Sequence, residues 1–244
     1  MPGYMMHLCE GCCILNQILR SDSKVPDTIL SKLLSAHAAS PDFANEFLLG
    51  TVIPDAVSDK SLTHFRPKWQ DDLITKYPDI PLLISSHTPE SLTAADLGIL
   101  AHLYMDALYV ENFWPKYFIF EDAQNKPTCV SDDIDHVRMR GLSMQPQDTL
   151  IPLTVFFSDR YFYGDYNITN PLFQRDFAPT IPKIVPVDLT IDECNAFSYE
   201  RLSEDLSHFI DSEPPADGGN TNVFSYDDLR DFITICADTF LHLY

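Results

Sequence analysis

Long apolar runs are missing from this 244-residue chain. No stretch approaches the roughly 18 to 20 consecutive apolar residues that span a bilayer, so no membrane span is expected. Basic residues are few, 16 against 36 acidic ones, and the formal net charge of -20 repels a phosphate backbone and an anionic membrane surface. Nucleic acid is therefore excluded as a stable partner. A basic segment ahead of the first apolar stretch is also lacking, which removes the secretory-signal pattern and points to a cytoplasmic protein. Glycine is scarce at 8 residues while proline reaches 18, and no segment alternates convincingly between apolar and polar. Extended sheet is not expected.

What is present is a globular composition, 45% hydrophobic and 12% aromatic, with apolar residues recurring every three or four positions. The spacing predicts helices over about Met5 to Leu19, from Pro26 or Asp27 onward, and over Asp42 to Gly50. A long one follows Ser91 or Thr93, and others run from Ile191 to Ile210 and from Ser225 to Leu243. Polar breaks are expected at Ser21 to Lys24 and from Ser212 to Asn222. Residues 66 to 91 read as a surface segment, and 152 to 177 are ambiguous between helix and irregular structure. The expected fold class is all-α, a compact multi-helix bundle in a single domain over 1–244.

Six cysteines, at 9, 12, 13, 129, 194 and 236, do not form the spacing of a small disulfide scaffold. The CysXXCysCys run near His7 lacks a second pair and reads as buried helical thiols. His37, His87, His208 and His242 stand alone in polar or terminal settings. Tyr161, Phe162, Tyr163 and Tyr166 read as packing, with a pocket wall as the alternative.

The strongest chemistry lies in AlaHisLeuTyrMetAspAlaLeu, where His102 and Asp106 sit four residues apart on one face of an apolar helix. A buried carboxylate needs a cation or several donors. Taken alone, the pair fits two metal ligands and a hydrogen-bonded core pair equally well. Two more isolated polar groups follow a helix end, Asp55 in ThrValIleProAspAlaVal and His64 in ThrHisPhe. Their joint occurrence with HisXXXAsp tips the reading to a metal centre.

MetProGlyTyrMetMetHis, PheLeuLeuGlyThrValIleProAsp, ThrHisPhe and LeuGlyIleLeuAlaHisLeuTyrMetAsp, in that order, resemble the zinc-dependent phospholipase C family, which is grouped with single-strand-specific nucleases. The resemblance covers residues 1 to about 115, and residues 150–244 only loosely. It implies a helical bundle around zinc held by His7, Asp55, His64, His102 and Asp106. Asp55, His64, His102 and Asp106 would hold one ion, and His7 with Asp106 would share a second. Of the family's third-ion ligands only His136 has a counterpart here, and no Glu follows it four residues on. One or two ions are expected, with zinc favoured by the His and carboxylate mix and iron or manganese as alternatives. The implied activity is a metal-dependent phosphoesterase that uses a metal-activated water on a small or soluble phosphoester, with Asp55 as the base. The alternatives are an amide or ester hydrolase and a metal-stabilised binding or scaffold protein without catalysis.

Overall fold

The computed structural model describes residues 2–20, 25–57, 59–210 and 220–243. Eleven α-helical segments are described: α1 (Tyr4–Leu19), α2 (Ile29–His37), α3 (Phe43–Gly50), α4 (Lys60–Thr63), α5 (Ile80–Ser86), α6 (Ala94–Leu108), α7 (Trp114–Tyr117), α8 (Leu153–Phe156), α9 (Phe162–Phe177), α10 (Tyr199–Ile210) and α11 (Tyr226–Phe240). The protein is mainly helical, as its apolar spacing predicts. The breaks expected at 21–24 and over most of 212–222 lie outside the described residues.

A three-stranded antiparallel sheet corrects the expectation of no strands: β1 (Phe118–Glu121), β2 (His136–Met139) and β3 (Leu150–Pro152), in that order. Register pairs Phe118 with Met139 and Phe120 with Val137, and Val137 in turn with Ile151. These buried side chains share one face. The other face carries the pairs Glu121 with His136 and Ile119 with Arg138. Strands of three or four residues are too short for alternation to register in a sequence window. The segment 66–91 also holds more structure than expected, since α5 forms within it, its first turn capped by the Asp79 carboxylate accepting from Leu82 N–H at 2.9 Å.

Two apolar clusters make the core. One is largely aliphatic and includes Leu8, Phe47, Leu97 and Leu100. The other is largely aromatic and includes Phe113, Trp114, Phe156 and Phe224. Helices α1 and α6 contribute to both clusters, Tyr4 and Leu8 to the first and Met5 and Met6 to the second, so these two helices run along the seam.

Helix α6 is fixed at both ends. Thr93 and Asp96 form a reciprocal capping box, and the buried Asp96 carboxylate also accepts from the Thr190 hydroxyl at 2.7 Å and the Ile191 N–H at 3.2 Å. After Leu108 the helix widens into a π turn, Tyr109–Phe113. Against its first turns lies α3, at a backbone-to-backbone approach that only glycine permits. A Cβ on Gly98 would fall 2.0 Å from the Phe47 carbonyl oxygen, and one on Gly50 would fall 1.9 Å from that of Ala95. This contact brings the residues after α3 beneath α6.

Candidate metal centre

Each of the five residues reaches the seam from a different local device. His7 lies in the first turns of α1, and His102 and Asp106 lie one turn apart on α6. After α3 ends, Pro54 sits early in a 3-10 turn, Ile53–Asp55, that delivers Asp55. His64 closes α4, where the Asp59 carboxylate caps the helix by accepting from Ser61 N–H at 2.9 Å. Phe65 then takes a left-handed backbone conformation, with φ of 47°, that reverses the chain. Non-glycine residues in that region cluster at functional sites.

The five side chains converge. His64 Nε2 stands 3.2 Å from Asp106 Oδ2, 3.4 Å from Asp55 Oδ1 and 3.5 Å from His102 Nε2. His102 Nε2 is 3.7 Å from Asp106 Oδ2 and 3.9 Å from Asp55 Oδ1, and His7 Nε2 is 3.5 Å from Asp106 Oδ1. The rings of His7 and His102 stack with centroids 3.7 Å apart. All five residues are buried, Asp55 least at 6% exposure.

These spacings bear on whether an ion fits. Ligands of one tetrahedral zinc, with bonds of about 2.0–2.1 Å, stand about 3.3–3.4 Å apart. Several of the distances above approach that edge length and exceed a good hydrogen bond. Two groups of ligand atoms meet within one ion's reach, His64 with His102 and Asp106, and His7 with Asp55 and His102. His102 belongs to both groups but has one nitrogen to offer, whereas the two oxygens of Asp106 face His7 at 3.5 Å and His64 at 3.2 Å, so the carboxylate is the side chain able to serve two ions.

Hydrogen bonds outside the cluster set the imidazole tautomers. His102 Nδ1 lies 2.8 Å from the Thr51 carbonyl oxygen, which can only accept, so Nδ1 carries the proton and Nε2 presents its lone pair inward. The Thr63 hydroxyl donates to the Pro54 carbonyl at 3.0 Å, and its oxygen is thereby oriented to accept from His64 Nδ1 at 3.0 Å. Both imidazoles thus turn Nε2 toward two carboxylates. Among the described residues, the ring nitrogens of His7 and both carboxylate oxygens of Asp106 find no hydrogen-bond partner. Buried orphans of this kind are expensive unless a cation satisfies them.

The electrostatics agree. Burial dominates at His102 and, helped by the neighbouring His7, lowers its pKa to about 3, so that ring is neutral. Burial also works to lower His64, but the close carboxylates of Asp106 and Asp55 outweigh it and hold the imidazolium above its usual range. Asp55 and Asp106 are both held below the carboxylate range despite burial, Asp55 by His64, His102 and Lys60, and Asp106 by His102, His64 and His7. The centre attracts cations, and a proton on His64 meets part of that demand.

His136 is not brought to this centre. It lies on β2 with Nε2 3.0 Å from Glu121 Oε2 and Nδ1 3.0 Å from Asp135 Oδ2, and Arg138 binds Glu121 through Nε at 2.9 Å and Nη2 at 2.7 Å. Its expected role as a ligand is replaced by a place in a sheet-borne charge network. Cys9, Cys12 and Cys13 line α1 as free thiols, Cys9 buried and Cys13 pushed by burial up to about 12. They are inert by that measure.

Sequence reading missed Thr51, Thr63 and Glu10. Thr51 acts through its backbone oxygen, which leaves no mark on residue type. Glu10 is one turn beyond His7 on α1, fully buried, with both carboxylate oxygens lacking a hydrogen-bond partner among the described residues. Burial first, and the Asp106 charge second, raise it well above the carboxylate range. A Glu in the apolar register of α1 was the signal available.

No protein-family model matches the chain, and no curated protein or solved structure matches it either.

Proposed function

We propose that the protein is a metal-dependent hydrolase of phosphoesters, with zinc as the ion and Asp55, His64, His102 and Asp106 as the main ligands and His7 beside them. The observation that carries the metal is the inward turn of two imidazole Nε2 atoms onto two buried carboxylates, 3.2 to 3.9 Å apart, with Thr51 and Thr63 fixing the rings from behind. The order of the four motifs, which resembles that of zinc-dependent phospholipases C, adds the phosphoester half of the reading.

A zinc ion in such a site supplies Lewis acidity, lowering the pKa of a water toward about 7 and polarising a phosphoryl oxygen. The chain's own residues do the rest. Asp55 is the least buried of the five and lies at the outer side, so it is assigned the proton released when water oxygen bonds to phosphorus. The bond to the leaving oxygen breaks in the same displacement, and that oxygen takes up a proton from solvent while Asp55 later returns its own to solvent. His7, His64, His102 and Asp106, buried among two apolar clusters, keep a fixed arrangement and exclude bulk water.

The depth of the centre favours one second reading, a structural ion in a binding or scaffold protein. Four of the five ligands are fully buried. A closed coordination sphere would mark that reading, and an open position facing solvent the hydrolase. Screening zinc-loaded protein against phosphodiesters, phosphomonoesters, carboxylic esters and amides decides between them. Phosphoester turnover that is lost together with bound zinc in His102→Ala and Asp106→Ala supports the proposal; turnover retained in those variants contradicts it.

A further inference from the structure

The ion-pair partner of Asp55 is a lysine, and its place at the edge of the centre has a consequence for what binds there. Lys60 opens α4, and its ammonium is hydrogen-bonded to Asp55 Oδ1, the same oxygen that faces His64 and His102. The Lys60 side chain is 34% exposed, whereas His64, His102 and Asp106 have none. Solvent therefore meets the buried centre at the Asp55 and Lys60 side. A molecule approaching the ligand cluster from there passes the ammonium first.

The same turn supplies a second cation. His64 and the left-handed Phe65 bend the chain so that Arg66 N–H donates back to the Ser61 carbonyl at 3.4 Å. The half-buried Arg66 guanidinium lies within electrostatic reach of Asp106 and Asp55. Seven residues, 60 to 66, thus bring one histidine and two cations to an acidic centre, in a chain with only 16 basic residues. Two cations are more than the stability of a short surface helix needs. An isolated partly exposed ion pair contributes little, about 0–1 kcal/mol.

We propose that Lys60, with Arg66 beside it, is the recognition site for the phosphoryl oxyanion of the substrate, and that Lys60 holds the Asp55 carboxylate only until a divalent cation takes that carboxylate over. This deepens the metal-centre reading and rests on it. Lys60 and the metal compete for one oxygen, so binding the metal releases the ammonium to an incoming anion one side chain away. A specificity for anionic over neutral esters follows, because a neutral substrate gains nothing from either cation. Lys60 is a binding residue here and is not a ligand to the ion.

The test uses the intact protein and two probes, zinc and inorganic phosphate. Zinc affinity is measured by competition with a chelating dye, and phosphate and acetate binding to the zinc-loaded protein by calorimetry, for wild type, Lys60→Met, Lys60→Gln and Lys60→Arg. Thermal unfolding of each variant establishes that it folds. The expected result is zinc affinity equal to or tighter than wild type in Lys60→Met and Lys60→Gln, with phosphate binding weakened about 10- to 100-fold, the value of a charge-assisted hydrogen bond. Lys60→Arg restores phosphate binding, and acetate binds more weakly than phosphate throughout. Unchanged phosphate affinity in both neutral variants overturns the proposal while leaving the metal centre standing, as does zinc affinity lowered by removing Lys60. Acetate binding as tight as phosphate overturns the phosphoryl assignment. A wild-type protein that takes no zinc overturns this inference and the metal reading together.

Discussion

At the scale of single residues, the proposed metal centre depends on groups that would not touch the ion. Thr63 is the clearest, because its hydroxyl links His64 Nδ1 to the Pro54 carbonyl and so holds the ring with Nε2 inward. Removing an outer partner of this type costs about 10- to 100-fold in metal affinity. Thr63→Val, nearly isosteric and fully buried, is expected to show that loss in a zinc titration while the ion-free protein keeps its helical circular dichroism. Unaltered zinc affinity would show that the ring is held by its neighbours' packing alone. Asp55, His64, His102 and Asp106 could be named in the sequence because each is an isolated polar residue among apolar ones, and His7 only through the motif resemblance. His136 was named through the resemblance alone, and its cross-strand partner Glu121 is invisible until the register of the sheet is known.

At the scale of elements, the contact between α3 and α6 decides the geometry of the site. Thr51 follows Gly50 directly, and its carbonyl fixes His102, so any separation of the two helices moves that acceptor. Gly98→Ala places a Cβ 2.0 Å from the Phe47 carbonyl oxygen and must push α3 away. The expected outcome is a loss of stability at or above the top of the usual range of about 1–3 kcal/mol for overpacking, with weakened zinc binding in whatever folds. Denaturant unfolding and a zinc titration check both. Helices α1, α3 and α6 were legible because their apolar faces are long and their ends carry Gly50 or Thr93. The sheet was not, because each strand has only three or four residues and its second face mixes the buried Glu121 and His136 with the exposed Leu150 and Pro152.

The sheet carries its own pH dependence. Glu121 is held below its ordinary value of 4.5, chiefly by Arg138 and against some burial, so its contribution is present above about pH 4.5 and is lost as pH falls through the lowered folded value. His136 is held above its ordinary 6.5, first by Asp135 and also by Glu121, again against burial, so its contribution is complete below about pH 6.5 and is lost as pH rises through the raised folded value. Both are present together between about pH 4.5 and 6.5. The difference in melting temperature between wild type and His136→Ala, measured with a chelator present, is expected to be largest in that window and to shrink toward pH 9. A difference independent of pH would show that His136 acts by packing.

At the scale of the whole molecule, the proposed ligands come from α1, the turn after α3, the end of α4 and α6, the elements around which the two cores are arranged. An ion held there favours the folded over the unfolded chain by mass action, about 4 kcal/mol at a thousandfold excess over its dissociation constant. The melting temperature is therefore expected to rise with zinc and to fall with a chelator. Metal binding must also displace the proton from His64, so affinity weakens as pH falls. What residue pattern conveyed at this scale was helical content and the candidate neighbours of an ion. How α1 and α6 lie along the seam between an aliphatic and an aromatic core depends on long-range packing, which residue spacing does not encode.

The most direct measurement is the zinc content of the purified protein, by elemental analysis after equilibration with zinc and removal of excess, alongside His102→Ala and Asp106→Asn. One or two ions per chain in wild type, with loss in both variants that fold, is the result the account predicts. No zinc in wild type, or the same content in both variants, would contradict a metal centre built from these side chains.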